Sequence, residues 1–397
     1  MAHIYHIPSW WPSRKHPATA LFISDLIASI QVSQPQHYHT VGLHAHKIKW
    51  ISPHHLWRDL HAYFKDETPL QPRGSTFIEL FELSKTIGLN PITRLNFIHT
   101  LIRKHIHLVG GMKCRPDLIH VHVSFPSLPV GYELSKQFGI PFILTEHSSR
   151  FPDPRFESYG YDRETLNKYF LRSSANIAVS ADLAKKFGFY DIQDMQVIPN
   201  LVSWAPPEIR IPGPPFSFIL ISHYLDPRKR IDLLIDAVHL LRSSGKEFIV
   251  RMVGEGPMRN LYIEKVKAAG IADVIQWYGH VSDGHKQELL SASHCLVVCS
   301  DYETFGVTVI EANAFGIPVL ATRCGGVEEI ISSVNGRLVD KGNSIRLAEG
   351  MEWMMRNYSY FDRKRIQQDC YLRFSATRIA EKYLNVYDEI LLKNKLS

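Results

Sequence analysis

The fold is decided between residues 295 and 322, which read Cys295-Leu-Val-Val-Cys299-Ser300-Asp301-Tyr-Glu303-Thr-Phe305-Gly306-Val307-Thr308-Val-Ile-Glu311-Ala-Asn-Ala-Phe315-Gly316-Ile-Pro318-Val-Leu-Ala-Thr322. Cys295–Cys299 is a short apolar run and reads as a strand. Phe305–Phe315 reads as a helix and Pro318–Thr322 as the next strand. A strand, a crossover helix and a second strand make a βαβ unit with parallel strands.

The alternation continues outward. Upstream, strands are expected at Phe216–Ser222, Phe248–Val253 and Val274–Tyr278, with helices at Ile231–Ser243, Pro257–Ala269 and Gly284–Ala292. Beyond Thr322, helices are expected to the end of the chain, and this half reads as a six-stranded doubly wound domain. The first half repeats the pattern, with strands at Ala2–Pro8, His39–Ala45, Leu118–Val123, Pro141–Thr145, Asn176–Val179 and Gln196–Pro199. Helical patterns lie at Ala18–Gln31, Phe97–Val109, Val130–Phe138 and Ala181–Phe187. Between the halves, Pro206, Pro207, Pro212, Pro214 and Pro215 exclude helix and central strand and mark a linker. Doubly wound sheets bind ligands at the carboxyl ends of their strands, so a cleft between two such domains is the expected active-site position.

Composition narrows the function. A chain of 397 residues, 45% hydrophobic and 21% charged, suits two globular domains. No apolar run reaches the ~18 residues of a membrane span. The N-terminus enters a strand-like pattern directly, without the basic and apolar regions of a secretory signal. The cysteines, Cys114, Cys295, Cys299, Cys324 and Cys370, form no C-x-x-C pair, which points to inert thiols in a reducing cytoplasm. A formal charge of +6 is too mild and too scattered for a nucleic-acid binder, and suits an anionic substrate or an anionic membrane surface. Histidines number 21. His44 with His46, and His120 with His122, share strand faces, but the spacing suggests no compact ligand set, and no metal is expected.

The chemistry concentrates in Ser300–Ala312. Gly306 permits close backbone approach at the helix start. The amides of Val307 and Thr308 are first-turn donors, and such a helix N-terminus favours a diphosphate. Glu311 lies on the helix face of Val307 and Thr308, where it could accept hydrogen bonds from ribose hydroxyls. Glu303, ahead of the helix, could bind sugar hydroxyls. Taken as residues alone, Glu311 fits a solvated helix position equally well, and Glu303 fits an N-terminal dipole partner.

The longer segment resembles the E-x7-E motif of the GT4-type retaining glycosyltransferases, with Glu303 and Glu311 as the pair, followed by Ala314-Phe315-Gly316 and Ile317-Pro318-Val319. The resemblance extends over nearly the whole chain. It takes in His6-Ile-Pro-Ser-Trp-Trp-Pro12, Pro116–His122, Thr145-Glu146-His147, Ile198-Pro-Asn200, Leu225–Ala237, Val253–Pro257 and Gly325-Gly-Val-Glu-Glu329. It implies the GT-B fold: two Rossmann-like doubly wound domains, 1–203 on the acceptor side and 204–375 on the donor side, facing across a cleft. The last helix, within 376–397, would pack back on the first domain. The resemblance assigns Lys229 to the charge of the leaving diphosphate, where a cation stabilises the transition state without a metal. It makes His122 the histidine near the transferred sugar, with His147 as competitor and Glu146 beside it on the acceptor side. Phe305, Gly306, Val307 and Thr308 fall in the donor-binding segment.

The chain departs from the family at two points. Tyr224 stands where many members carry a phosphate-binding arginine, so Arg228, Arg230 or Tyr224 itself must supply the second contact. Ala20 stands near a usual loop glycine, which implies a differently shaped acceptor loop.

Gly254-Glu-Gly256 is an incomplete dinucleotide fingerprint. Asp301-Tyr-Glu303 superficially resembles a metal clamp, but its place in the E-x7-E segment argues against that. Pro91–Lys113 is a basic amphipathic pattern that fits either a helix on anionic lipid or one packed on the sheet. The combined expectation is a retaining, metal-independent glycosyltransferase without cofactor. It would take a nucleotide diphosphate sugar and a glycan, lipid-linked or small-molecule acceptor, in microbial cell-surface polysaccharide assembly. It would act in the cytoplasm or at the inner face of the membrane, where the N-terminal domain could make peripheral contact. A GT-B epimerase or phosphorylase, and a non-catalytic nucleotide-sugar-binding subunit, are the competing readings.

Overall fold

The computed structural model describes residues 1–12, 20–47, 78–87, 91–224 and 226–396. The chain divides into two compact units, Met1–Leu201 with Ala376–Ser397, and Val202–Ser375.

The first unit holds a seven-stranded sheet in the order β3-β2-β1-β4-β5-β6-β7. Its strands are β1 His3–Pro8, β2 Tyr38–Lys47, β3 Ile78–Ile87, β4 Leu118–His122, β5 Phe142–Glu146, β6 Ala175–Ala178 and β7 Met195–Val197, all paired in parallel. The chain winds outward from β1 to β3, returns to the other side of β1 as β4, and winds outward again. This reversal is a switch point of a doubly wound sheet. The second unit repeats the plan with six parallel strands in the order β10-β9-β8-β11-β12-β13. These are β8 Phe216–Ile221, β9 Phe248–Val253, β10 Ile275–Gly279, β11 Cys295–Val298, β12 Val319–Thr322 and β13 Gly336–Val339.

Two strands escaped the reading by periodicity. β3, Ile-Glu-Leu-Phe-Glu-Leu-Ser-Lys-Thr-Ile, interleaves charges with its apolar residues and is an edge strand. β13, Gly-Arg-Leu-Val, is four residues long and also an edge, inside a stretch expected to be helical. Residues 18 and 19 of the first expected helix, and the side chains of His44 and His46, lie outside the described residues.

Each unit has its own core. In the second, Phe218, Leu220 and Val250 from the sheet meet Ile231, Leu234 and Val238 from the helix Ile231–Ser243, and Leu347, Met351 and Met354 from Ser344–Asn357. In the first, the C-terminal helix Ala376–Leu396 inserts Ile379, Tyr383, Tyr387 and Ile390 against Ile4, Leu118 and Ile143 of the sheet and Leu26 and Ile30 of the helix Leu21–Ser33. The helix Pro91–Gly111 buries Ile98, Leu101, Ile102 and Val109, and its His105 Nδ1 meets the Tyr5 hydroxyl at 2.7 Å. Among its described side chains, from Phe97 on, the apolar ones are buried or half-buried, and the exposed residues are His99, Arg103, His107 and two glycines.

The proline-rich segment has no helix or strand from 198 to 215. It is held to the second unit by backbone carbonyls. Trp204 accepts from the Tyr371 hydroxyl at 2.9 Å, Pro207 accepts from Gln367 at 2.9 Å, and Arg210 accepts from Arg363.

Candidate functional site

β8, β11 and β12 are neighbours, and the loops at their carboxyl ends gather the residues of interest in the second unit. After β8, Asp226 caps the short turn Pro227–Lys229, its Oδ1 accepting the Arg228 N–H at 3.0 Å. The turn is tied to the end of β11 by two bonds. Asp301 N–H donates to the Arg228 carbonyl at 2.7 Å, and the Cys299 thiol donates to the Lys229 carbonyl at 3.2 Å.

Lys229 is thereby aimed at Glu303. Its Nζ donates to both carboxylate oxygens, at 2.7 and 2.8 Å. Ser300 Oγ donates to Oε1 at 2.6 Å. The Glu303 backbone is pinned as well: its N–H donates to the Cys324 carbonyl at 2.7 Å, and its carbonyl accepts from Gly326 N–H at 2.9 Å. The close approach of these loops explains two glycines. A Cβ at Gly326 would lie 2.1 Å from the Thr304 carbonyl oxygen, and one at Gly306 would lie 2.8 Å from Val327 Cγ2. Gly306 also has φ 99°, in the left-handed region, and turns the chain into the helix Val307–Ala314. Phe305 is buried, edge-on to Phe374 at 5.8 Å, so it anchors the loop. Val307 and Thr308 are half-buried at the first turn.

Glu311 does not project freely from this helix. Its Oε1 accepts from Lys286 Nζ at 2.7 Å, and the same ammonium lies 4.8 Å from the centre of the Trp204 ring. Lys286 had no sequence signal: it sits 25 residues away, on the helix Asp283–Ser291. Arg228 forks onto Asp226, with contacts at 3.0 and 2.6 Å. Arg230 spans Asp232 and Asp301, at 3.2 and 3.1 Å. Asp301 and Glu303 thus take different cations and do not converge as a metal clamp.

Tyr224 requires a correction. It is 1% exposed, packs edge-on against Tyr262 and Trp277 in the core, and its hydroxyl has no hydrogen-bond partner among the described residues. The hydroxyl is closed to solvent and so meets no phosphate in this conformation.

In the first unit, His122 ends β4 fully buried, its Nε2 3.1 Å from His6 Nδ1. Burial, then the neighbouring His120 and His147, hold its pKa well below the ordinary value, so the ring is neutral. His147 is buried beside it, with ring centres 6.3 Å apart, and burial lowers its pKa to about 3. Glu146 is fully buried. Its oxygens accept the backbone N–H groups of His147 at 2.9 Å, Ser148 at 2.7 Å and Ser124 at 2.9 Å. Burial raises its pKa against those bonds. Glu146 thus holds a loop and the start of the helix Ser124–Phe138 in place.

Two family models match the chain. Residues 210–370 match the glycosyl transferases group 1 model, and residues 66–203 match that of glycosyltransferase family 4. The chain is similar to the phosphatidyl-myo-inositol mannosyltransferase of Mycobacterium leprae, 26% identical over 75% of this chain and 80% of that one. It is similar to an uncharacterized glycosyltransferase of Methanocaldococcus jannaschii, 28% identical over 61% of this chain and 66% of the relative, just under two thirds of its length. Among solved structures, sucrose-phosphate synthase from Thermosynechococcus elongatus superposes with a TM-score of 0.73 at 16% identity, over 99% of this chain and all of the other. Two doubly wound parallel units and this likeness make the fold GT-B.

Proposed function

This chain belongs to the GT4-type glycosyltransferases of group 1, and we propose that it is a retaining, metal-independent enzyme that moves a sugar from a nucleotide diphosphate donor. The observation that carries the reading is the Lys229–Glu303 pair, set at a carboxyl sheet edge beside the helix that starts at Val307.

In this proposal the donor's ribose hydroxyls bind Glu311, which Lys286 already holds in one position. The diphosphate lies against the first-turn amides of Val307 and Thr308 and takes the Lys229 ammonium from Glu303. Glu303, released from that charge, accepts hydroxyls of the transferred sugar. Arg228 or Arg230 adds the second phosphate contact. By the family resemblance His122 attends the transferred sugar. In the reaction the bond between the anomeric carbon and the diphosphate oxygen breaks. The acceptor oxygen bonds to the same face of the sugar, and its proton goes to the departing phosphate. The fixed ammonium meets the charge as it develops, without reorganisation at that moment.

The acceptor is a glycan, a lipid-linked saccharide or a small molecule. We place its assembly reaction in the cytoplasm, at or near the inner membrane face, in microbial surface polysaccharide synthesis. Among the described residues no helix is long and apolar enough to cross a membrane. The test is a melting-temperature screen with UDP, GDP, ADP, dTDP and CMP in the presence of EDTA, followed by product analysis with the matching sugar donor. A shift with one nucleoside diphosphate in EDTA, and a product of retained anomeric configuration, is expected. Transfer that requires added Mg²⁺ or Mn²⁺, or an inverted product, would overturn the proposal.

A further inference from the structure

Four histidines meet on one face of the first sheet. His6 on β1 is in register with His120 on β4, and His122 follows two residues later on the same face. His39 joins from β2, which pairs with the other side of β1. His6, His120 and His122 are fully buried, and each offers a ring nitrogen such that all three lie within 4.8 Å of one another. His6 Nδ1 and His122 Nε2 are 3.1 Å apart. Two nitrogens bound to one tetrahedral zinc at 2.0–2.1 Å lie about 3.3 Å apart, so this pair already stands at ligand spacing.

We propose that His6, His120 and His122 form a binding site for a zinc ion, structural in role and confined to the first unit. Three neutral imidazoles with one oxygen in the fourth place are an established zinc set. The fourth ligand is a solvent oxygen or the Tyr387 hydroxyl.

For His6 and His120 the surroundings supply the outer contacts that metal-bound histidines use. His6 Nε2 lies 3.0 Å from His39 Nδ1 and can donate to it while Nδ1 binds the ion. His120 has the Tyr387 hydroxyl at 2.6 Å from Nδ1 and Thr145 Oγ1 at 2.8 Å from Nε2. One of these contacts gives way to the metal and the other remains to orient the ring. Tyr387 belongs to the C-terminal helix, so the ion would tie β1 and β4 to that helix. With Nε2 on the metal, His122 carries its N–H on Nδ1. The donor loops of the second unit contribute nothing to this site, but it shares His122 with the proposed function: with Nε2 on the ion, only Nδ1, buried and without a hydrogen-bond partner among the described residues, would remain for the transferred sugar.

The experiment uses the full-length chain without an oligohistidine tag, purified and dialysed in metal-free buffer. Elemental analysis is expected to find about one zinc per chain. After chelation the protein should take up one equivalent of Co²⁺ with the intense visible absorption of a tetrahedral site, and His6→Gln should not. His39→Gln, which alters only an outer contact, should keep the site and weaken zinc binding about 10- to 100-fold. Should His6→Gln fail to fold, the wild-type stoichiometry and the His39→Gln affinity decide. Folded wild-type protein that carries under a tenth of an equivalent and takes up no Co²⁺ overturns the site. So does a folded His6→Gln that binds metal as tightly as wild type. The three rings are in that case a hydrogen-bonded chain, and sugar transfer in EDTA stands or falls separately.

Discussion

Replacing Lys229 with alanine tests the proposed reaction most directly. The ammonium donates to both oxygens of Glu303 at 2.7 and 2.8 Å, with the two side chains only 27% and 18% exposed. Unit charges about 4 Å apart are worth about 4 kcal/mol at the effective dielectric of ~20 found near protein surfaces. A diphosphate that takes Glu303's place keeps that attraction, and it grows as the leaving oxygen gains charge. Losing one such positioned donor costs about 2.7–4 kcal/mol in the transition state, or ~10²- to 10³-fold in kcat. Folding should suffer far less. Glu303 keeps the Ser300 hydroxyl at 2.6 Å and partial contact with water, so the loss is about 1–2 kcal/mol. The assay is the initial rate of nucleoside diphosphate release, using the sugar donor of whichever nucleoside diphosphate raises the melting temperature. Circular dichroism reports the fold. A Lys229→Ala variant that melts within a few degrees of wild type and turns over at the full rate would refute the assignment.

Other outcomes follow from the same geometry. Glu311→Ala should weaken nucleoside diphosphate binding about tenfold in calorimetry while leaving most of the rate at saturating donor, since its proposed role is on the ribose. Gly306→Ala forces a side chain into the left-handed region and to 2.8 Å from Val327 Cγ2, and should lower unfolding free energy by about 1–3 kcal/mol in a denaturant titration. Arg363→Ala removes donors from the Gly316 and Phe315 carbonyls at 3.1 and 3.0 Å, and should destabilise the second unit by about 3 kcal/mol. His147, with its pKa lowered to about 3 in the fold, stays neutral there while the unfolded chain gains a proton below about 6.5. Its contribution is complete above pH 6.5 and declines as pH falls towards 3, by about 2 kcal/mol at pH 5. His147→Asn should flatten that part of the stability curve.

Most strands legible in the sequence are short apolar ones inside the sheets, where burial on both faces leaves an unbroken run, such as Leu296-Val-Val in β11 or Val319-Leu-Ala in β12; the edge strands β7 and β10 were read as well. The edge strands β3 and β13 carry charges and were not legible. The donor-side motif was readable because its elements are local: a glycine turn, a helix start, and carboxylates at fixed spacing. What was not readable depends on neighbours brought together by the sheet. Lys286 reaches Glu311 only because two helices of the second unit lie side by side. The burial of Tyr224 follows from Tyr262 and Trp277 closing over it. His120 and His122 announced a shared face by their spacing, but His6 and His39 join them only through the strand order β2-β1-β4.

The division of the chain has a consequence for biosynthesis. The first unit is completed by Ala376–Ser397, so the second unit is in effect an insertion within it. While the ribosome is still translating residues 202–375, Ile4, Leu26, Leu118 and Ile143 lack the wall that Ile379, Tyr383 and Tyr387 will supply. The usual order, in which the N-terminal domain is finished first, is reversed here. The inserted unit holds a full core before the helix Ala376–Leu396 emerges, and the nascent first unit must wait, its greasy surface open to chaperones, until that helix leaves the exit tunnel.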